Sequence, residues 1–343
     1  MSKPRIAING YGRIGQCILR AWVERSECRD ALNLVALNEL SDLPTLAYLT
    51  RYDTIHGRFP GRVEVDDQQL LINDHAVKVL CCDQPQGLPW GALDIDLLLE
   101  CTGSFRDRKT AEQHLQAGAQ RLLFSQPAEA DVDATIICGV NDAALLPQHR
   151  IVSAGSCTTN AVVPLLKLLD DALGIEHGMT TTIHSVMNDQ PVGDAYHQHD
   201  LRLTRSALAS IIPVDTSLAR GINRLLPHLD GRIECLHLRV PTLNVSCMDI
   251  TLCLQQDTSV TAINQLLQEA SKTALSSVLG YTEEPHASVD FNHDPRSAII
   301  DATQTRVSGR RLVKLLCWFD NEWGFANRML DIALNWIAAD RRI

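Results

Sequence analysis

The run "RIAINGYGRIGQCILRAW", residues 5–22, joins a short apolar stretch to a helix-like one through three glycines. "IAIN" at 6–9 is short and continuously apolar, as a strand buried on both faces is. In the stretch that follows, Ile14, Ile18, Ala21 and Trp22 fall on one helical face. Gly10, Gly12 and Gly15 between them make the pattern GxGxxG, after a strand and before a helix, which is the setting its chemistry needs. Gly10 permits the tight turn, Gly12 lets the backbone approach a pyrophosphate, and Gly15 lets the helix pack on the strand. The helix start then offers unpaired amides to the phosphates. Glu39 closes the next apolar run, "LVALN" at 34–38, about where a carboxylate that accepts ribose hydroxyls is expected. Such a carboxylate repels a 2′-phosphate, so the pattern selects NAD over NADP. The bland alternative gives the glycines to a bare α/β turn and Glu39 to a solvated one.

Further apolar runs follow at "DLLLEC" (96–101), "RLLFS" (121–125) and "TIICGV" (135–140), with helix-like stretches between them. Their alternation predicts an α/β fold whose N-terminal part, 1–152, is a Rossmann doubly wound parallel sheet. Beyond it, "GMTTTIHSVM" and "LHLRVPTLNVSCMDITLCL" are longer and alternate, as antiparallel strands covered on one face do. Residues 153–320 are therefore expected to form an α+β catalytic domain with a mostly antiparallel sheet. "VTAINQLLQEASKTALSSVL" (260–279) reads as an amphipathic helix. Residues 321–343 read as a C-terminal helix returning to the first domain, with Met329, Ile332, Ala333 and Trp336 on its apolar side.

Composition narrows the function. A chain of 343 residues has room for two domains. Its net charge of −10 disfavours nucleic acid or an anionic membrane as the main partner, and its 5% aromatic content disfavours a large stacking surface. The 11 cysteines are an odd number without a CxxC pair or zinc-site spacing, so no metal is expected and reduced thiols in the cytoplasm are. "MSKPRIAING" enters a strand pattern at once, which leaves no room for a signal peptide, and no apolar run suits a bilayer.

The chemistry points to "SAGSCTTNAVVPLLKLL", 153–169, where Cys157 stands among hydroxyls and an asparagine at the start of an apolar helix that Gly174 ends. A cysteine placed so has its thiolate favoured by free amides, which predicts a lowered pKa. Pro164 predicts a kink or an early-turn position. His184, in "TTTIHSVMNDQ", is the candidate proton acceptor, the alternative being a buried histidine paired to backbone.

Together "INGYGRIG", "SCTTN", "TTIHSVMNDQ", "RVPT" and "DNEWGFANRMLD" resemble the glyceraldehyde-3-phosphate dehydrogenase family, in order and spacing, over essentially the whole chain. Within it "NEL", "SIIPVDT" (210–216) and "SVDFNHDPRSAIIDATQTRVSG" (288–309) are similar to the branch whose substrate is erythrose 4-phosphate. The resemblance implies Cys157 as nucleophile and His184 as the residue that activates it. It implies Arg13 and Ile14 at the pyrophosphate turn, and Asn321 holding the nicotinamide amide. Ser156 and Thr158 then flank the nucleophile at the substrate, while Thr216, Ser217 and Arg239 hold the substrate phosphate and a neighbouring anion. It further implies a homotetramer, a small phosphorylated aldehyde as partner, and a product that feeds pyridoxal phosphate synthesis.

Three positions depart from the family wording. Leu203 in "HQHDLRLTR" stands where a second arginine is usual, with Arg202 or Arg205 as candidate substitutes. Asp83 in "CCDQP" stands where relatives place an arginine near the cofactor, and "SAGSC" replaces the usual "SNASC". His197 and His199 lack a third ligand and read as solvated. The alternatives are a phosphorylating glyceraldehyde-3-phosphate dehydrogenase and a non-catalytic NAD-binding or RNA-binding protein. Net charge and the Cys157–His184 pair argue against the second of these.

Overall fold

The structure, a computed structural model, describes residues 3–197 and 200–340. The described chain divides into two compact units, one running to Ser156 and resuming at Phe325, the other Cys157–Gly324.

In the first unit the described residues form a nine-stranded sheet. Its parallel part runs Ala134–Thr135, Ile151–Ser153, Leu122–Phe124, Leu97–Glu100, Arg5–Asn9, Asn33–Asn38, His75–Leu80. Gln69–Ile72 and Val63–Asp66 extend it with antiparallel pairing, an edge the sequence reading passed over because its exposed residues blur the apolar pattern. The central strands are apolar on both faces, with Ile6, Ile8, Leu34, Leu97, Leu98 and Leu99 fully buried. Helix Arg13–Glu24 follows the first strand and is buried all round from Gly15 to Val23, Ile18, Ala21 and Trp22 included. From Phe325 the helix Trp323–Asp340 belongs to this unit. Met329, Ile332, Ala333 and Trp336 are fully buried, Arg121 lies 5.4 Å from the Trp336 ring centre, and Arg25 pairs with Asp331 at 2.7 Å. The expected break at 152 cuts through the strand Ile151–Ser153, whose pairing keeps it in this unit, and the units part after Ser156. Of "TIICGV" only Thr135 is strand, at the end of the short Ala134–Thr135.

The second unit carries a sheet ordered Ile212–Val214, Ile233–Arg239, Ile175–His184, Ser246–Leu254, Leu312–Phe319, Ala298–Asp301, Leu279–Thr282. Its pairings are mostly antiparallel. Ile233–Arg239 is an exception and runs parallel to Ile175–His184. The run read as one antiparallel stretch is broken after Arg239, and Val245 turns with φ of 61° before Ser246–Leu254 begins. Helix Cys157–Leu173 buries Val162, Val163, Leu165 and Leu166 completely. Pro164 sits well inside this unbroken helix and forgoes one ladder hydrogen bond. Gly174, with φ of 69°, takes the left-handed conformation that ends the helix and starts the strand Ile175–His184. The predicted helix at 260–279 is formed over Val260–Lys272.

Candidate active site

The glycine turn lies at the carboxyl end of the strand Arg5–Asn9, where the strand order of the sheet reverses. Gly10 has φ of 90°, and a Cβ there would come within 2.6 Å of the Thr102 amide. A Cβ on Gly15 would run into the Gly10 carbonyl, so helix and turn meet with no room for a side chain. At Gly12, the N-cap of Arg13–Glu24, the space is open: no atom lies within 4 Å of where a Cβ would be, and no side chain caps the helix. That open cradle faces the helix start, as a bound pyrophosphate requires. A cleft of about 290 Å³ opens here, lined by Gly10, Gly12, Asn38, Glu39 and Thr102 among others.

Glu39 is half-buried, and its two oxygens accept the amides of Tyr11 (2.7 Å) and Leu40 (2.8 Å). The carboxylate thus braces the turn while lining the cleft. Arg13 forks onto Asp53 at 2.5 and 3.2 Å. Burial pushes the Asp53 carboxyl up, but Arg13 and the amides of His56 and Ile55 outweigh it and hold the group well below the usual range. Ile14 is half-buried beside Arg13.

A buried carboxylate that the sequence reading missed, Glu100, holds the opposite lip. It accepts from Asn9 Nδ2 (2.5 Å), the Thr102 amide (2.9 Å) and the Thr102 hydroxyl (2.5 Å). Asn38 Nδ2 in turn donates to Asn9 Oδ1 (2.7 Å) and to the Cys82 carbonyl (2.8 Å), so the ends of neighbouring parallel strands are tied together. The available signal was an acid at the very end of a wholly apolar strand, "DLLLEC".

Cys157 opens its helix, half-buried, with its Sγ 3.7 Å from His184 Nε2. His184 is 3% exposed, and its Nδ1 lies 2.8 Å from the Ser185 carbonyl, which only accepts. Nδ1 therefore carries the proton and Nε2 presents a lone pair to the sulfur. His237 stacks on the His184 ring, and Phe319 meets it edge-on at 6.4 Å. The register explains this: on adjacent parallel strands Thr182 faces His237 and His184 faces Arg239. His237 escaped the sequence reading, although its place two residues before Arg239 in an alternating strand puts it on the same face.

Electrostatics run against the expected lowering of the thiol pKa. Burial pushes Cys157 up to about 11, outweighing the Thr158 amide and Arg239, which act the other way. Burial, with Arg239, takes His184 down to about 4. At neutral pH the pair is a thiol beside a neutral imidazole. Thr158 and Thr159 are buried within the helix rather than capping it, and Ser156 stands half-buried just before it.

Arg239 is partly buried, and its Nε and Nη1 have no hydrogen-bond partner among the described residues. Such a guanidinium is set up to receive an anion. Thr216 and Ser217 precede helix Leu218–Leu225, Ser217 as N-cap and Thr216 Oγ1 accepting the Leu218 amide at 3.2 Å. Asn321 Oδ1 accepts from Ser185 Oγ (3.0 Å) and Ser246 Oγ (2.8 Å), which leaves the NH₂ as what Asn321 has to offer a ligand. Of the candidate substitutes at Leu203, Arg205 pairs with Asp194 at 3.1 Å and Arg202 is exposed. His197 Nδ1 accepts the Asp200 amide at 3.2 Å, and His199 lies outside the described residues.

A dinucleotide cleft in one unit and, in the other, a cysteine at a helix start beside a histidine at a strand end define the class: an NAD-dependent oxidoreductase. Residues 4–108 match the family description "Glyceraldehyde 3-phosphate dehydrogenase, NAD binding domain", and residues 156–321 match "Glyceraldehyde 3-phosphate dehydrogenase, C-terminal domain". The chain belongs to the glyceraldehyde-3-phosphate dehydrogenase family, and NAD is its cofactor.

Proposed function

We propose that the chain is an erythrose-4-phosphate dehydrogenase, oxidising D-erythrose 4-phosphate to 4-phosphoerythronate through Cys157 and feeding pyridoxal 5′-phosphate synthesis. The observation that carries the chemistry is the 3.7 Å approach of Cys157 Sγ to the unprotonated His184 Nε2. The unpartnered guanidinium nitrogens of Arg239 and the helix start at Thr216 and Ser217 support an anionic substrate. The wording of 288–309 and Leu203 in place of an arginine support the longer aldehyde.

As Sγ attacks the aldehyde carbon, His184 Nε2 takes the thiol proton and hands it to the carbonyl oxygen, which becomes the hydroxyl of a thiohemiacetal. Nε2, neutral again, then takes the hydroxyl proton while the carbon loses hydride and becomes a thioester on Cys157, and that proton passes to solvent. NAD, when bound, supplies the hydride acceptor, with the Asn321 NH₂ holding the nicotinamide amide. Glu39 takes the ribose hydroxyls, the amides behind Gly12, Arg13 and Ile14 take the pyrophosphate, and Ser156 and Thr158 flank the reacting carbon. Water then attacks the thioester, His184 removes its proton, and the Cys157 thiol is regenerated as the acid leaves. The active form is proposed to be a cytoplasmic homotetramer. Among the described residues no helix is long and apolar enough to cross a membrane.

Membership of the glyceraldehyde-3-phosphate dehydrogenase family favours a second reading, phosphorylating oxidation of glyceraldehyde 3-phosphate, in which inorganic phosphate attacks the thioester. NADH formation from each aldehyde, with and without phosphate, separates the two. Light scattering tests the tetramer.

A further inference from the structure

The strand Ile175–His184 is irregular at its start. Ile175 pairs with Leu254 and His177 with Cys253, so Glu176 is an extra residue opposite a single partner, a β-bulge. In a regular strand successive side chains alternate between faces, and Glu176 and His177 would point apart. Here Ile175 is buried while Glu176 and His177 are both exposed, and alternation resumes only beyond them. Cys253 lies between buried Leu252 and Leu254 and faces the same way. The bulge therefore turns an imidazole and a carboxylate onto the side that already carries a thiol.

We propose that Glu176, His177 and Cys253 form a surface site for a borderline-soft divalent cation of the zinc type, with water as fourth ligand. One ligand atom from each residue lies within 4.8 Å of the others. Cys253 Sγ is 3.6 Å from Glu176 Oε2. Ideal zinc–sulfur and zinc–oxygen bonds at a tetrahedral angle separate those two atoms by about 3.5 Å. Sulfur, nitrogen and oxygen together are a donor set this ion accepts, and the exposed face leaves its last position open to solvent. Two hydrogen-bonded strands hold the ligands, so little ordering is needed on binding. Arg311, whose charge acts on Glu176 and Cys253, is engaged by Asp257 at 2.9 Å, and Arg232 donates to the Ile175 carbonyl at 3.1 Å. A cation binds the Cys253 thiolate, so its entry displaces a proton: the S–H bond breaks, a metal–sulfur bond forms, and H⁺ goes to solvent.

The test uses the full chain with Cys157→Ser, which removes the Cys157–His184 pair, stripped with a chelator and titrated with Co²⁺ and then Zn²⁺. The expected result is one Co²⁺ per chain with thiolate-to-cobalt absorption in the near ultraviolet, displaced by Zn²⁺, with proton release. Adding Cys253→Ser should abolish the absorption. Adding His177→Ala should weaken binding by at least the roughly 10–100-fold that loss of a supporting contact already costs. No thiolate absorption in the Cys157→Ser protein, or absorption that survives Cys253→Ser, overturns the proposal.

Discussion

The imidazole of His237 lies against that of His184, ring centroids 5.1 Å apart and planes inclined by 24°. His184 has two polar anchors, the Ser185 carbonyl and the Cys157 sulfur, and both lie near the ring plane. Its faces are restrained by packing, and His237 supplies one of them. Removing that wall lets the ring tilt and moves Nε2 off the sulfur. His237→Ala should lower kcat by up to about 10²-fold with the aldehyde KM little changed, the cost of a misplacement near 1 Å. His237→Phe keeps a flat ring and should recover most of the loss. Equal losses in the two variants would refute a positioning role for the stack.

Cys157 and His184 set the pH behaviour. With the thiol pushed up to about 11, alkylation by iodoacetamide should keep accelerating past pH 9 rather than level off near neutrality. A plateau near neutral pH would show a thiolate–imidazolium pair instead. His184→Asn should slow acylation by roughly 10²–10⁴-fold. Folding is linked to the same groups. The folded pKa of His184, about 4, lies below its ordinary 6.5, so the unfolded chain binds the proton more readily. Its contribution is intact above pH 6.5 and is lost as pH falls toward 4, on the order of 3 kcal/mol. Urea unfolding at pH 7 and pH 4.5 should show a smaller acid loss for His184→Asn than for the parent chain.

The parts of this site that follow a local rule were legible in the sequence. GxGxxG after an apolar strand, a cysteine at a helix start and a helix ended by Gly174 each depend on residues close together in the chain. The parts that depend on register were not. His237 reaches His184 only because Ile233–Arg239 runs parallel to Ile175–His184, whereas the alternating pattern suggested antiparallel neighbours. Glu100 reads as a strand end until Asn9 and Thr102 are seen to converge on it. The raised thiol pKa was hidden for another reason: sequence shows the helix start that lowers it but not the burial that outweighs it.

Glu39 should choose between the cofactors. Its oxygens are fixed by the Tyr11 and Leu40 amides, so the carboxylate cannot swing away from a ligand at the adenosine ribose. A 2′-phosphate there would meet a fixed like charge, and kcat/KM with NAD should exceed that with NADP by roughly two orders of magnitude. Glu39→Gln removes the charge and keeps one acceptor oxygen, so it should narrow the ratio chiefly through the NADP KM. Comparable kcat/KM for both cofactors in the parent chain would contradict this reading.

Substrate choice turns on the loop around Leu203. Leu203 is half-buried in the turn Leu201–Thr204, where the family resemblance leads one to expect a second arginine. Arg205 does not replace it freely, because Asp194 holds it at 3.1 Å, and Arg202 is exposed to solvent. On the proposed function this leaves one cation fewer for an attacking inorganic phosphate, with Arg239 proposed to hold the substrate. A missing charge-assisted contact costs about 1.5–3 kcal/mol, or roughly one to two orders of magnitude in phosphate attack. Water then competes for the thioester. Erythrose 4-phosphate should be oxidised without added phosphate, with kcat/KM above that for glyceraldehyde 3-phosphate by about tenfold or more. Leu203→Arg should restore phosphate-dependent oxidation of the shorter aldehyde and leave phosphate-independent turnover of the longer one in place. Steady-state NADH formation by the parent chain and this variant, on both aldehydes across a phosphate series, reads out each claim. Obligate phosphate dependence in the parent chain, or its preference for the shorter aldehyde, would assign it to the phosphorylating reaction.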